Sequence, residues 1–261
     1  MEWYWIVLIV CGSLLLWGAL SVLLYRQFFK RFYDFLFSAL ALLILSPVLL
    51  VLTAVGAIAM RGNPFFCQAR PGRTGKDGNE RIFRIVKFRT MTNAKANDGS
   101  PLPDEDRLTA YGRFLRSTSL DELPELLNIF CGQMSFLGPR PQLVRDMTFM
   151  TSEQRRRHTV RPGLSGLAQI NGRNAISWDD KLDWDLKYIA RISLFGDLKL
   201  IFRTAAVALF RHEGVTDGES ATAADYGDWL LMSGRITREE YDARMGEAQT
   251  LLNEFYKAGR A

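Results

Sequence analysis

From Trp3 to Leu24 the chain carries no charged residue and consists largely of Ile, Val, Leu and Trp. That meets the roughly 20 residues a helix needs to cross a hydrocarbon core of about 30 Å. Trp3, Tyr4 and Trp5 at one end, and Tyr25 with Arg26 at the other, are placed as interfacial anchors. A cleaved signal peptide would need a basic leader and a small-residue cleavage site, and neither precedes the next polar stretch. The second apolar run, Phe35 to Met60, is also long enough to cross, but Ser46-Pro47 interrupts it. Pro47 has no N–H to give and its ring collides with the preceding turn, while the Ser46 hydroxyl is available to a freed carbonyl. Arg26, Lys30 and Arg31 lie between the two runs, and Arg61, Arg70 and Arg73 follow the second. Two full crossings would put these clusters on opposite sides of the bilayer. A first run that crosses and a second that enters and turns back leaves both in the cytoplasm, in keeping with the positive-inside tendency. The pattern therefore predicts a transmembrane helix over 1–25 and a re-entrant helical hairpin over 26–61, broken at Ser46 and Pro47. A Pro-kinked spanning helix is the alternative.

Beyond Arg61 apolar and polar residues mix, and turn signals recur at Gly62-Asn63-Pro64, Arg70-Pro71-Gly72, Lys76-Asp77-Gly78 and Asp98-Gly99-Ser100-Pro101. The alternation from Arg81 to Arg89 reads as a strand, and the spacing from Leu120 to Phe130 as a helix. Asp179 to Ile192 and Asp197 to Phe210 read as helices too. The second of these suits either an interfacial or a core-facing position. A polar linker over 213–224 leads to two helical patterns between Tyr226 and Lys257, with Thr237 and Glu240 spaced as a capping box. Docking or oligomerisation is the role read for this tail. The expected fold is α+β: membrane helices joined to a small, mostly helical globular domain with short strands over 62–217, then a helical extension over 218–261.

The chain has 261 residues, and its 33 Lys and Arg against 28 Asp and Glu leave a formal net charge of +5, which suits an anionic membrane surface or phosphorylated ligands as well as nucleic acid. Three cysteines and two histidines, without paired metal-ligand spacing, indicate neither a disulfide framework nor a zinc site. No P-loop, dinucleotide fingerprint, HExxH motif or Ser-His-Asp arrangement is evident.

The stretch 117–141 carries the most chemistry. Ser119-Leu120-Asp121-Glu122 has capping-box spacing, so its carboxylates have a purely structural reading at a helix start. They also have a chemical one. Successive helical side chains point about 100° apart, so one of Asp121 and Glu122 is free to attack while the other holds a cation. A carboxylate is a competent nucleophile toward phosphorus, and a hard divalent cation such as Mg²⁺ would neutralise a pyrophosphate. Arg140, stiffened between Pro139 and Pro141, supplies the fork that matches phosphate oxygens, or else is a turn arginine in a surface ion pair. Lys87, Arg89 and Arg116 are further cationic candidates, and the loop from Gln169 to Asn174 offers polar heads.

Five separated motifs occur in order: the apolar run with Ser46-Pro47, Lys87-Phe-Arg-Thr-Met91, Arg116-Ser-Thr-Ser-Leu-Asp-Glu-Leu-Pro124, Met134-Ser-Phe-Leu-Gly-Pro-Arg-Pro141, and Arg161-Pro-Gly-Leu-Ser-Gly-Leu-Ala-Gln-Ile-Asn-Gly-Arg-Asn174. Together they resemble the bacterial sugar transferases, the small monotopic phosphoglycosyl transferases. Asn171-Gly-Arg-Asn-Ala-Ile-Ser-Trp178 looks most like members acting on UDP-diacetylbacillosamine. The resemblance implies transfer of a hexose 1-phosphate, in that case of an N-acetylated amino sugar, from a UDP-sugar to undecaprenyl phosphate, with release of UMP. It further implies a bacterial inner-membrane enzyme with its catalytic domain on the cytoplasmic face. Asp121 would form a phosphosugar-aspartyl intermediate, Glu122 would associate with Mg²⁺, and Arg140 would bind phosphate. Lys87, Arg89, Arg116, Gln169, Arg173 and Asn174 would bind substrate. A membrane-bound phosphohydrolase using the same aspartyl intermediate, and a non-catalytic adaptor for anionic lipid, are the alternatives.

Overall fold

The computed structural model describes residues 3–96, 98–100, 102–172, 176–210 and 224–259. Helix α1 (Trp3–Leu23) and helix α2 (Lys30–Ala59) are joined by a π-helical turn at Tyr25–Phe29. The Trp17 indole donates to the Tyr33 hydroxyl at 3.2 Å, although the two are 16 residues apart. A straight helix would separate them by about 24 Å, so the chain doubles back at this turn. Tyr25 and Phe29 are buried there. The Tyr25 hydroxyl and the Lys30 ammonium each lie 2.7 Å from the buried carboxylate of Asp197, which ties the turn to the globular domain.

Both α1 and the stretch Tyr25–Ala59 are long and apolar enough to cross a membrane. The assignment of α2 runs unbroken through Pro47. The carbonyl that Pro47 leaves without its usual N–H partner belongs to Leu43, and the Ser46 hydroxyl donates to it at 2.8 Å. The inner face of α2 meets the domain from one end to the other. Arg31 donates to the carbonyls of Ile129 and Phe130 at 2.7 and 2.8 Å, capping the C-terminus of another helix. Asp34 accepts from the Ser135 hydroxyl at 3.0 Å and the Phe136 N–H at 3.1 Å. Ala41, Leu42 and Leu45 pack on the domain core, and Leu49 and Leu52 join a second cluster with Phe88 and Leu115. The Tyr111 hydroxyl donates to the Leu52 carbonyl at 2.7 Å. The outer face carries Leu43, Ile44, Leu50 and Ile58, which are 70–78 % exposed, an apolar surface that water would not leave uncovered.

Strands β1 (Phe65–Thr74) and β2 (Glu80–Phe88) form an antiparallel hairpin, paired from Phe65 with Phe88 to Pro71 with Ile82. The turn expected at Arg70-Pro71-Gly72 is therefore strand. Pro71 is tolerated because the register slips directly after it, and a Cβ on Gly72 would fall 2.6 Å from the Arg81 carbonyl oxygen, so only glycine allows that approach. Helices α3 (Ala110–Thr118) and α4 (Glu125–Phe130) follow, then strand β3 (Ser135–Leu137), helix α5 (Val144–Phe149) and strand β4 (Gly163–Ser165), which pairs in parallel with β3. Helices α6 (Trp178–Ala190) and α7 (Leu194–Phe210) complete this part. Thr109 and Ser177 cap α3 and α6 by accepting N–H groups two or three positions into each helix. In α7, Leu200 faces the core, as the core-facing reading expects, while Phe195, Leu198, Ile201 and Phe202 are exposed.

The main core lies between α2, β2 and α4 and contains Phe83, Ile85, Leu126, Ile129 and Met134. Helices α8 (Tyr226–Met232) and α9 (Arg238–Ala258) are bound into the same body. Tyr226 and Leu230 share a buried cluster with Met150, Trp178 and Leu182, and Leu251, Leu252 and Phe255 pack on Ala69, Val144 and Met147. Thr237 caps α9, accepting the Glu240 N–H at 3.1 Å. The architecture is thus mostly helical α+β, with two apolar N-terminal helices and a few short strands.

Candidate active site

Helix α3 ends at Ser119, whose φ of +56° is left-handed, a C-terminal stop that reverses the chain. The box expected at Ser119 and Glu122 does not form: the Ser119 side chain makes no capping hydrogen bond, and the Glu122 carboxylate points elsewhere. A single 3-10 turn, Leu120–Glu122, carries Asp121 and Glu122, and Pro124 opens α4, where its missing N–H costs nothing.

Two cations converge on one oxygen. Lys87 from β2 and Arg140 from the loop after β3 each lie 2.7 Å from Glu122 Oε1. Lys87 also lies 3.1 Å from Glu125 Oε1, one helical turn beyond Asp121. Burial works against the Glu122 charge, but Arg140 and Lys87 outweigh it and hold its pKa at about 2. Burial and the neighbouring Glu122 push Glu125 up to about 7, against the pull of Lys87. Asp121 is raised by burial and then by Glu122, with Lys87 and Arg116 opposing. The Leu120–Glu122 turn and the start of α4 thus hold three carboxylates in unlike environments, a feature that accompanies functional sites.

The Arg140 loop is fixed from behind. Gly138 N–H donates to Ser165 O and Gly163 N–H to Pro139 O, both at 2.9 Å. A Cβ on Gly163 would stand 2.1 Å from the Gly138 nitrogen, so glycine is required for this approach. Arg157, fully buried, donates to the Arg140 carbonyl at 2.6 Å and pairs with Asp185 Oδ2 through Nε at 2.9 Å and Nη2 at 2.6 Å.

The structure gathers only some of the expected residues. Asp121, Glu122, Lys87 and Arg140 come together. Arg116 donates from Nε to Thr90 at 3.1 Å and acts on Asp121 through its charge. Arg89 follows the end of β2, with its Nε buried and unpaired. Gln169 donates to the Leu164 carbonyl at 3.1 Å, which makes it a brace of its own loop. Arg173 and Asn174 lie outside the described residues. Ser46 and Pro47 are in α2, at the membrane-facing helix rather than in the cluster.

Sequence reading missed Glu125, although its i+4 spacing from Asp121 was a usable signal. It also missed Arg70, which lines a cavity of about 220 Å³ together with Lys87, Glu125, Arg140, Asp146 and Asp225. Among the described residues no group of three or more His, Cys, Asp or Glu side chains is arranged to hold a metal. The donor set fits Mg²⁺ only in the form that uses one or two carboxylates and takes its other oxygens from water and phosphate.

The site is a cation-rimmed carboxylate turn in a domain joined to two apolar N-terminal helices long enough to cross a membrane. Residues 25–211 match the bacterial sugar transferase family, and the chain belongs to it. It is 44% identical over 195 residues, 74% of its length and 93% of the relative's, to the uncharacterized sugar transferase EpsL of Bacillus subtilis. It is 39% identical over 191 residues to the UDP-glucose:undecaprenyl-phosphate glucose-1-phosphate transferase of Klebsiella pneumoniae, covering 67% of this chain and 39% of that protein. It is 34% identical over 206 residues to the undecaprenyl-phosphate galactose phosphotransferase of Salmonella typhimurium, covering 71% and 41%. The chain therefore spans less than half the length of the latter two. Their names specify glucose and galactose, so the likeness extends to the family at large and not specifically to diacetylbacillosamine transferases. The chain is a phosphoglycosyl transferase by this membership.

Because Glu125 is raised from its ordinary 4.5 to about 7, the folded state holds this proton more tightly than the unfolded chain. Its contribution to stability is complete below about pH 4.5 and is lost as pH rises through about 7. Glu125→Gln is expected to flatten the fall in thermal unfolding midpoint over that window, followed in detergent. An unchanged slope would remove Glu125 as its source.

Proposed function

We propose that this chain transfers a hexose 1-phosphate from a UDP-sugar to undecaprenyl phosphate and releases UMP, as the first membrane step of bacterial glycan assembly. The observation that carries this reading is the convergence of Lys87 and Arg140 on Glu122, directly beside Asp121. A pyrophosphate entering there meets cations that are already positioned, and its charge is neutralised without reorganising the site.

Asp121 attacks the phosphorus that bears the sugar, and the bond from that phosphorus to the UMP oxygen breaks. The product is a phosphosugar-aspartyl intermediate. An oxygen of the lipid phosphate then attacks the same phosphorus and the Asp121 carboxylate departs, which leaves a lipid-linked sugar diphosphate. Lys87 and Arg116, by opposing the upward shift of Asp121, favour the ionised form that attacks. Arg140, held through its carbonyl by Arg157, keeps its guanidinium at the phosphates. Glu122 is the residue that would hold Mg²⁺ brought in with the donor, and the ion when bound would stabilise charge on the departing UMP.

Membrane geometry supports the same reading. The contacts of α2 at Arg31 and at Leu52 are with one domain, so both ends of the helix belong on the side of the bilayer where that domain lies. These contacts support a segment that dips into one leaflet and returns. The exposed apolar face of α7 would rest at the same interface. A polyprenyl phosphate, with its tail in the bilayer and its head at the surface, is then delivered to Asp121 by the membrane, while the soluble nucleotide sugar arrives from the cytoplasm. The relatives whose names specify undecaprenyl phosphate agree with that lipid acceptor.

Purified protein incubated with undecaprenyl phosphate and a panel of UDP-sugars, including glucose, galactose and N-acetylated amino sugars, is expected to release UMP and form a lipid-linked product. Asp121→Asn should lower that release by roughly a thousandfold or more, and full activity in this variant would refute the assigned nucleophile. Free sugar phosphate without lipid product would mark a hydrolase instead. Chelation of divalent cations should abolish transfer, and indifference to chelator would remove Mg²⁺ from the mechanism. A cysteine at Gly62 should react only with reagents that reach the cytoplasm. Its labelling by an impermeant reagent from outside the cell would show that α2 crosses.

A further inference from the structure

One residue that lines the cavity comes from outside the family-matched part of the chain. The match covers residues 25–211, and Asp225 lies beyond it, in the segment that leads into α8. This segment is firmly seated. The Trp178 indole donates to the Ala224 carbonyl at 2.9 Å, and the Tyr226 N–H donates to the buried carboxylate of Asp146 at 3.0 Å. The Tyr226 ring packs 5.1 Å from that of Trp178. At Gly227 a Cβ would come within 2.4 Å of the Phe149 ring, so α8 lies as close to α5 as a bare backbone permits.

Asp225 occupies the N-cap position of α8, where an aspartate ordinarily accepts the backbone N–H groups of the first turn. It makes no such bond. Its carboxylate is turned toward Arg145, with which it forms an ion pair, and toward the cavity it lines with Arg70, Lys87 and Arg140. The cationic side of that cavity suits phosphate, and the Asp225 side repels it. A carboxylate in such a place accepts hydrogen bonds from hydroxyl groups.

We infer that Asp225 accepts hydrogen bonds from hydroxyls of the donor's sugar ring, so that the C-terminal extension forms part of the wall that selects the sugar. The inference rests on the transfer reading above. Recognition of the phosphates belongs to Lys87 and Arg140, within the part of the chain that relatives share. The sugar differs among relatives named for glucose and galactose, and a residue outside the shared part is placed to read what differs. A site that hydrogen-bonds a substrate hydroxyl also discriminates strongly against a sugar that lacks or inverts it.

The test uses the full chain in detergent with undecaprenyl phosphate, and compares wild type with Asp225→Asn for each UDP-sugar the wild type accepts. The preferred donor's KM is expected to rise by roughly tenfold while kcat changes little, and the preference between donors that differ at one hydroxyl should narrow. Inhibition by UMP, which has no sugar beyond its ribose, should stay unchanged. Unaltered KM and donor preference in the variant would overturn the proposal and leave the transfer reading intact. A parallel loss of UMP inhibition would place the carboxylate on the ribose and overturn it too. A wild-type chain that releases UMP from no UDP-sugar would overturn the transfer reading, and this inference with it. Asp225→Ser, which keeps a side chain able to cap α8, gives the same readout if the asparagine variant unfolds.

Discussion

The apposition of α2 to the globular domain is the constraint on which the rest of the structure depends. A 30-residue apolar helix is about 45 Å long, more than enough to carry the chain across a bilayer and away. Instead its inner face is occupied at each turn, from the Arg31 cap on α4 through Asp34, Leu45 and Leu52 to Gly56, where a Cβ would meet the Tyr111 hydroxyl at 2.9 Å. Leu52, buried in this seam, is worth about 1.5–3 kcal/mol, and the partly buried Leu42, Leu45 and Leu49 contribute less. Breaking the seam would also leave the buried Asp34 carboxylate without its donors, a cost that grows in a medium of low dielectric. The outer face is exposed and apolar, and α2 is long and apolar enough to meet a membrane. The helix is also tied to the site, because α4, which Arg31 caps, continues directly from the turn that carries Asp121.

That turn would be unstable by itself. Burial and then the neighbouring Glu122 charge raise the proton affinity of Asp121 and Glu125. Lys87 and Arg140 offset it by taking the same oxygen of Glu122. The arrangement has a chemical consequence. Cations held in place by a carboxylate are already oriented when an anionic ligand arrives, so little reorganisation accompanies binding. The Arg157–Asp185 pair extends this preorganisation inward by fixing the Arg140 backbone, with neither member exposed to solvent.

Local features of this chain were legible wherever the partners lie within a few residues of one another. The Ser46 hydroxyl reaches the Leu43 carbonyl that Pro47 leaves free, as the dipeptide implies. Thr237 caps its helix, and the alternation from Arg81 to Arg89 falls on the strand that ends at Phe88. The errors arose where a tertiary partner outbid a local one. Ser119 and Glu122 have the spacing of a capping box, but Arg140 and Lys87 claim the glutamate, and Ser119 takes the left-handed conformation that ends α3. Arg70-Pro71-Gly72 has turn composition, yet pairing with β2 and a slip in register absorb the proline. Glu125 had a spacing signal but no reason to be preferred over an ordinary helix carboxylate until Lys87 was placed beside it.

By itself the sequence determined the apolar helices, the adjacent carboxylate pair, and the arginine stiffened between prolines, whereas the break expected at Ser46-Pro47 is not seen in the continuous α2. The features that held depend on periodicity, backbone chemistry and neighbours along the chain. Only the tertiary structure decided that Lys87 and Arg140 share one oxygen of Glu122, that both ends of α2 return to one domain, and that Asp225 closes a cavity begun more than a hundred residues earlier. Those contacts join groups far apart in the chain, and their energies depend on burial and on charges brought close only by folding, which no local pattern encodes.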